Sequence, residues 1–110
     1  MAKLSKEEKD RLSAKLYTTT DPTKILEQHD SMNPQRIFEI GKGLQLDITM
    51  EEAEKIAEEN RLFNGTIALQ LAMTEEEVRA AVEVMPVFSG EEKEEFIQKI
   101  LEGDKERFSK

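Results

Sequence analysis

The sequence predicts an all-α domain, a compact bundle of five to seven short helices. Three observations predict it. Helix formers dominate, while Val, Tyr and Phe are scarce; aromatics make up 5% and Trp is absent, a bias toward helix over sheet. Four Ser/Thr–Glu pairs, Ser5/Glu8, Thr49/Glu52, Thr74/Glu77 and Ser89/Glu92, have the three-residue spacing with which a helix start satisfies its own free N–H groups. Apolar residues then recur at helical spacing after most of these starts. A chain of 110 residues suits one domain with one modest core. The expected division is a single helical domain over 1–103 and a polar tail over 104–110.

Each element follows from a start, a stop and an apolar stripe. A helix over 5–17 puts Leu12 and Leu16 on one side, and Thr18-Thr19-Thr20 connects it onward. Asp21-Pro22 opens a short helix over 22–29 carrying Ile25 and Leu26. Asn33-Pro34 opens another over 34–42 carrying Ile37, Phe38 and Ile40. Proline suits a first helical position because its missing N–H would be unpaired there anyway. Gly41 or Gly43 is expected to stop that helix. Residues 44–48 alternate like a strand, but one strand cannot make a sheet, so they read as an extended linker with Leu44, Leu46 and Ile48 turned inward. A helix over 50–61 buries Ala53, Ile56 and Ala57, and Asn64-Gly65 marks a turn. A helix over 66–72 and one over 75–85 follow, the second stopped by Pro86. The last helix, over 90–102, turns Phe96, Ile97, Ile100 and Leu101 inward.

Composition narrows the function classes. Without cysteine there is no disulfide framework and no thiolate metal site, which fits an intracellular protein. The N-terminal residues lack the apolar segment of a signal peptide. No apolar run approaches the roughly 20 residues that cross a bilayer. The expectation is a cytoplasmic protein with no membrane partner. The net charge is −8, placed unevenly: residues 1–42 hold eight Lys/Arg and seven Asp/Glu, whereas residues 43–110 hold eight and seventeen. That acidic part reads either as a solvated helical surface or as a face for a basic partner protein.

Residues 64–84 resemble the helix-turn-helix family. Ile67 and Leu71 share one face of the first helix, and small Ala68 sits where the second helix crosses. Met73 precedes the turn as a core plug, Thr74 caps the second helix, and Val78, Ala81 and Val82 pack it back. Ala72 stands where the family has its usual glycine. In that family the start and outer face of the second helix contact DNA. The resemblance therefore places contacts at Thr74, Glu75, Glu76, Arg79, Ala80 and Glu83. Only Arg79 is a usual groove residue, and 74–85 hold four Glu against one Arg. Affinity for DNA rests largely on neutralising phosphates with Lys and Arg. Three uses stay open for this segment: a packing corner, a protein contact, and DNA reading.

Other candidates carry less. His29 is the single histidine, and with Asp21, Glu27 and Asp30 nearby it reads as a capping or surface residue. Gly41-Lys42-Gly43 lacks the strand, spacing and Ser/Thr of a P-loop. The glutamate clusters at 51–54, 75–77 and 91–95 lack the alternating ligands and central glycine of a calcium loop; helix dipoles explain them. Lys3, Lys6, Lys9, Arg11 and Lys15 could form a basic arm on the first helix. Met85-Pro86-Val87-Phe88 is either a buried crossover or an exposed contact patch.

These readings lead to one expectation. The chain is a small acidic regulator or adaptor without catalytic, metal or cofactor residues. It binds another protein, one with a basic surface, through Glu75, Glu76, Arg79 and Glu83. In style it resembles bacterial or phage regulators, including inhibitors of nucleic-acid-binding proteins. A homodimer through the helix over 90–102 is a further option. The alternative is a DNA-binding transcriptional regulator of the helix-turn-helix type.

Overall fold

A computed structural model describes residues 4–18 and 21–108. Lys3 of the basic arm, Thr19 and Thr20 of the first connector, and residues 109–110 of the expected tail lie outside the described residues. Within them the fold is all-α: α1 Lys6–Leu16, α2 Pro34–Gly43, α3 Met50–Leu71, α4 Glu75–Val84, α5 Gly90–Gly103 and α6 Lys105–Phe108. Two 3-10 turns, Pro22–Glu27 and His29–Met32, stand where a single short helix was expected.

The helix starts follow the residues that announce them. Ser5 and Glu8 form the reciprocal capping box. Thr49 accepts from the Glu52 N–H and Thr74 from the Glu77 N–H. Asn33 accepts from both Gln35 and Arg36. Ser89 departs from the pattern: its hydroxyl donates to the Glu92 carboxylate at 2.6 Å and accepts no backbone N–H.

Helix α3 is the main correction to the sequence reading. Asn64-Gly65 is no turn; both residues lie buried inside one unbroken 22-residue helix. Asn64 earns its interior place by bonding across it, accepting from the Tyr17 hydroxyl at 2.8 Å and donating to the Ser31 hydroxyl at 3.1 Å. Gly65 is there for closeness. A Cβ on it would lie 2.6 Å from Met85 Cγ and 2.8 Å from the Ala81 carbonyl oxygen, so α4 crosses α3 nearly backbone to backbone. The expected helices over 50–61 and 66–72 are therefore one element.

With α3 as spine the molecule is drawn out, 49 × 28 × 19 Å. Two apolar clusters form along it. Ala53 and Ala57 near its start share a core with Leu4, Leu12, Leu16, Ile37, Leu46 and Ile48. Near its end, Ala72 joins Val78, Val82 and Ile97, flanked by Leu69, Phe88, Phe96 and Phe108. Between the two lies a polar waist. There Ser31 donates to the Gln28 carbonyl, and the Asn60 amide donates to the Ser31 carbonyl at 2.6 Å. Buried polar groups are costly unless paired, and these pairs fix how the two ends join.

Three smaller expectations also change. Gly41 and Gly43 do not stop α2; both are helical, and the chain reverses at Gln45, whose φ is 61°. Leu46 N–H returns to the Gly41 carbonyl and Gln45 N–H to that of Lys42, the bonding of a Schellman stop. The linker then buries Leu46 and Ile48 as expected. Met73 is no core plug: it is 48% exposed, and its neighbour Ala72 is the buried residue at the corner. The expected polar tail contains α6. From it Arg107 donates to the carbonyls of Leu69, Gln70 and Ala72 at 2.6–2.8 Å. These carbonyls lie at the end of α3, where, among the described residues, only that of Leu69 also accepts a backbone N–H, from Ala72, and where a cation also suits the dipole.

Candidate functional site

The residues singled out on α4 start from its cap. Glu77 turns back, and its carboxylate accepts from the Met73 N–H and the Thr74 hydroxyl, so this first-turn glutamate is committed to the corner. Glu75, Arg79 and Glu83, four residues apart, form one stripe along α4. That stripe borders α5. Arg79 donates from Nε to Glu75 at 2.9 Å, and its two terminal nitrogens grip both oxygens of Glu94 at 2.8 and 2.9 Å. Glu83 pairs with Lys93 at 3.5 Å.

This bidentate grip is the strongest polar link between α4 and α5. It pulls the Glu94 carboxyl down to about 2, through Arg79 first and then Gln98, and pushes Arg79 above its usual range. Arg79 and Glu94 stay roughly half exposed, at 40% and 53% of their side chains. Water and salt therefore weaken the pair, and its main effect is to fix geometry. Phe88 and Phe96, packed against the cluster of Val78, Val82 and Ile97, stack with ring centroids 4.5 Å apart.

Glu75, Arg79 and Glu83 are thus brought together as a fastening between two helices. Glu76 is exposed and makes no ion pair or hydrogen bond with the described residues. Ala80 is exposed one turn on and lines a small apolar recess with Leu26, Ala68 and Leu71. The outer surface of the two helices is strongly acidic: α4 carries four glutamates and one arginine, α5 five glutamates and two lysines.

Two functional-looking features escaped the sequence. Glu94 as partner of Arg79 lies 15 residues away; only the Glu75 half of the clamp has helical spacing. Arg107 sits in a polar stretch with no local sign of its carbonyl partners. His29 is exposed on a 3-10 turn. Among the described residues no three His, Cys, Asp or Glu side chains converge as metal ligands, and no helix is long and apolar enough to cross a membrane. On α1, Lys6, Lys9, Arg11 and Lys15 are exposed while Leu12 and Leu16 are buried.

No family model, no curated protein and no solved structure matches this chain.

Proposed function

We propose that the protein is a small cytoplasmic, non-enzymatic adaptor or regulator whose acidic α4–α5 surface binds a protein with a basic face. One observation carries this reading: Arg79, the single cation of α4, is already held by Glu75 and Glu94. What α4 offers outward is carboxylate, with Glu76 free of any partner among the described residues. Such a face attracts cations over a distance and selects partners by charge. Of the packing residues in the helix-turn-helix resemblance, Val78, Ala81 and Val82 of α4 are fully buried, whereas Leu71 and Met73 are exposed. The presented helix would repel a phosphate backbone. To reach a phosphate, Arg79 would have to leave three hydrogen bonds to carboxylates.

Affinity capture from cells that express the protein tests this. Wild type is compared with Glu76→Lys, which disturbs no contact within the described residues, and with Glu75→Lys/Glu76→Lys. Proteins retained by wild type and lost by both variants, with circular dichroism unchanged, support the reading. Identical retention by all three removes α4 from the interface. The DNA alternative is addressed separately by anisotropy of a labelled duplex at low salt, where electrostatic binding is strongest. A salt-sensitive complex that disappears in Arg79→Ala would replace the protein-binding reading.

A further inference from the structure

The apolar run Met85-Pro86-Val87-Phe88 is not absorbed by the acidic surface, and the fold gives it a setting. It forms one wall of an open groove of about 590 Å³, with the 3-10 turn at His29–Met32 opposite and Arg61 of α3 alongside. Met32 and Met85 are nearly buried, at 9% and 6% exposure, while Val87 is 54% exposed and extends the apolar strip beyond the groove. Two cationic side chains, Arg61 and Lys93, line it with the His29 imidazole and the Asn33 amide, against the one carboxylate of Glu83.

The charges do not cancel. Glu83 is paired with Lys93, which leaves Arg61 without an ion pair or hydrogen bond among the described residues. Of the three arginines after residue 43 it is the one so placed. Arg79 is held by two glutamates and Arg107 by three carbonyls. An arginine left open beside the exposed Pro86 and partly exposed Phe88 of the groove wall suits a ligand with an apolar side chain and a carboxylate close together. The guanidinium fork matches a carboxylate in two parallel hydrogen bonds. A nucleic acid, which brings many phosphates, fits poorly, because Glu58 and Glu54 are exposed on α3 one and two turns before Arg61. The groove is open along its length, which favours a chain segment over an enclosed small molecule.

We propose that this groove is a second docking site, for a peptide segment of a partner protein that carries an apolar side chain next to an acidic one. It shares only the Glu83–Lys93 pair with the acidic α4–α5 stripe and does not depend on that stripe binding anything. An adaptor built this way presents two unlike faces, one attracting basic surfaces and one attracting acidic, apolar-anchored segments.

The test is an amide-resolved NMR titration of the full chain with three pools of acetylated hexapeptides. Each pool places Leu or Phe beside a second residue in a Gly/Ser/Ala background; that residue is Glu, Gln or Lys. The Glu pool is expected to shift amides of His29, Met32, Arg61, Val84, Val87, Phe88 and Lys93. The Gln pool should bind about tenfold more weakly, the scale of one lost charge-assisted hydrogen bond. In Arg61→Glu, an exposed substitution, the preference should reverse toward the Lys pool, a gain that misfolding cannot produce. Silent groove amides, equal response to the Glu and Gln pools, or an unchanged preference in Arg61→Glu would each overturn the proposal.

Discussion

Gly65→Ala puts the α3–α4 crossing to a quantitative test. In an exposed helix interior this change stabilises by about 1 kcal/mol, because alanine loses less backbone entropy than glycine. At position 65 the new methyl would sit 2.6 Å from Met85 Cγ, 2.8 Å from the Ala81 carbonyl oxygen and 3.2 Å from Val84 Cγ2. Met85 could swing aside, but the Ala81 oxygen is backbone and moves only if α4 moves. Overpacking of this kind costs about 1–3 kcal/mol, and the backbone contact argues for the upper part of that range. Set against the propensity gain, the variant should lose roughly 1–2 kcal/mol. Urea unfolding followed by far-UV circular dichroism reads this directly. With a slope of about 2 kcal/mol per molar urea, the midpoint should fall by roughly 0.5–1 M. Gly43→Ala is the control: its Cβ would meet nothing within 4 Å at the last residue of α2, so stability should hold or rise. A Gly65→Ala protein as stable as wild type, or a control equally destabilised, would refute the close crossing.

Three further outcomes are expected. Asn64→Ala removes the acceptor of the Tyr17 hydroxyl and one donor to the Ser31 hydroxyl, which keeps its bond to the Gln28 carbonyl; it should cost about 1–3 kcal/mol in urea unfolding, and a double-mutant cycle with Tyr17→Phe should show coupling of at least about 0.5 kcal/mol. Arg107→Ala removes three hydrogen bonds from the α3 terminus and should cost about 1–3 kcal/mol, with hydrogen exchange accelerating first in α6 and the corner at 72–74. Glu94 gives a pH signature. Its carboxyl is held at about 2 in the fold by Arg79, below the ordinary glutamate value of about 4.3. Because the folded value is depressed, the stabilisation is full above the unfolded value and is lost as pH falls from there through about 2. The urea midpoint should therefore drop less between those limits in Glu94→Gln than in wild type, and added salt should shrink the difference.

Much of the fold is local chemistry and was legible in the residues. The Ser5, Thr49, Thr74 and Asn33 caps act within three residues of themselves, so short-range spacing is enough to find them. The inward residues of α1, α4 and the linker follow from period alone: Leu12, Leu16, Leu46, Ile48, Val78 and Val82 are all buried. The unevenness of charge, and with it the acidity of α4 and α5, is likewise a property of the sequence.

What the tertiary structure decided is which residues are held by partners far along the chain. Asn64-Gly65 has the composition of a turn, yet contacts 33 to 47 residues away keep it helical; its glycine answers to the backbone of α4 and not to its own φ. Gln45 takes the left-handed position expected of Gly41 or Gly43, while Gly41 answers to Ile48, which a Cβ would meet at 2.8 Å. On α4, Glu75, Glu76, Arg79 and Glu83 read in sequence as four exposed contacts of equal standing. Folding ties Arg79 to Glu94, ties Glu83 to Lys93, and leaves Glu76 outward. Sequence spacing reports neighbours one turn apart; only the packing of α5 against α4 determines whether a charge is already matched or still open to a partner.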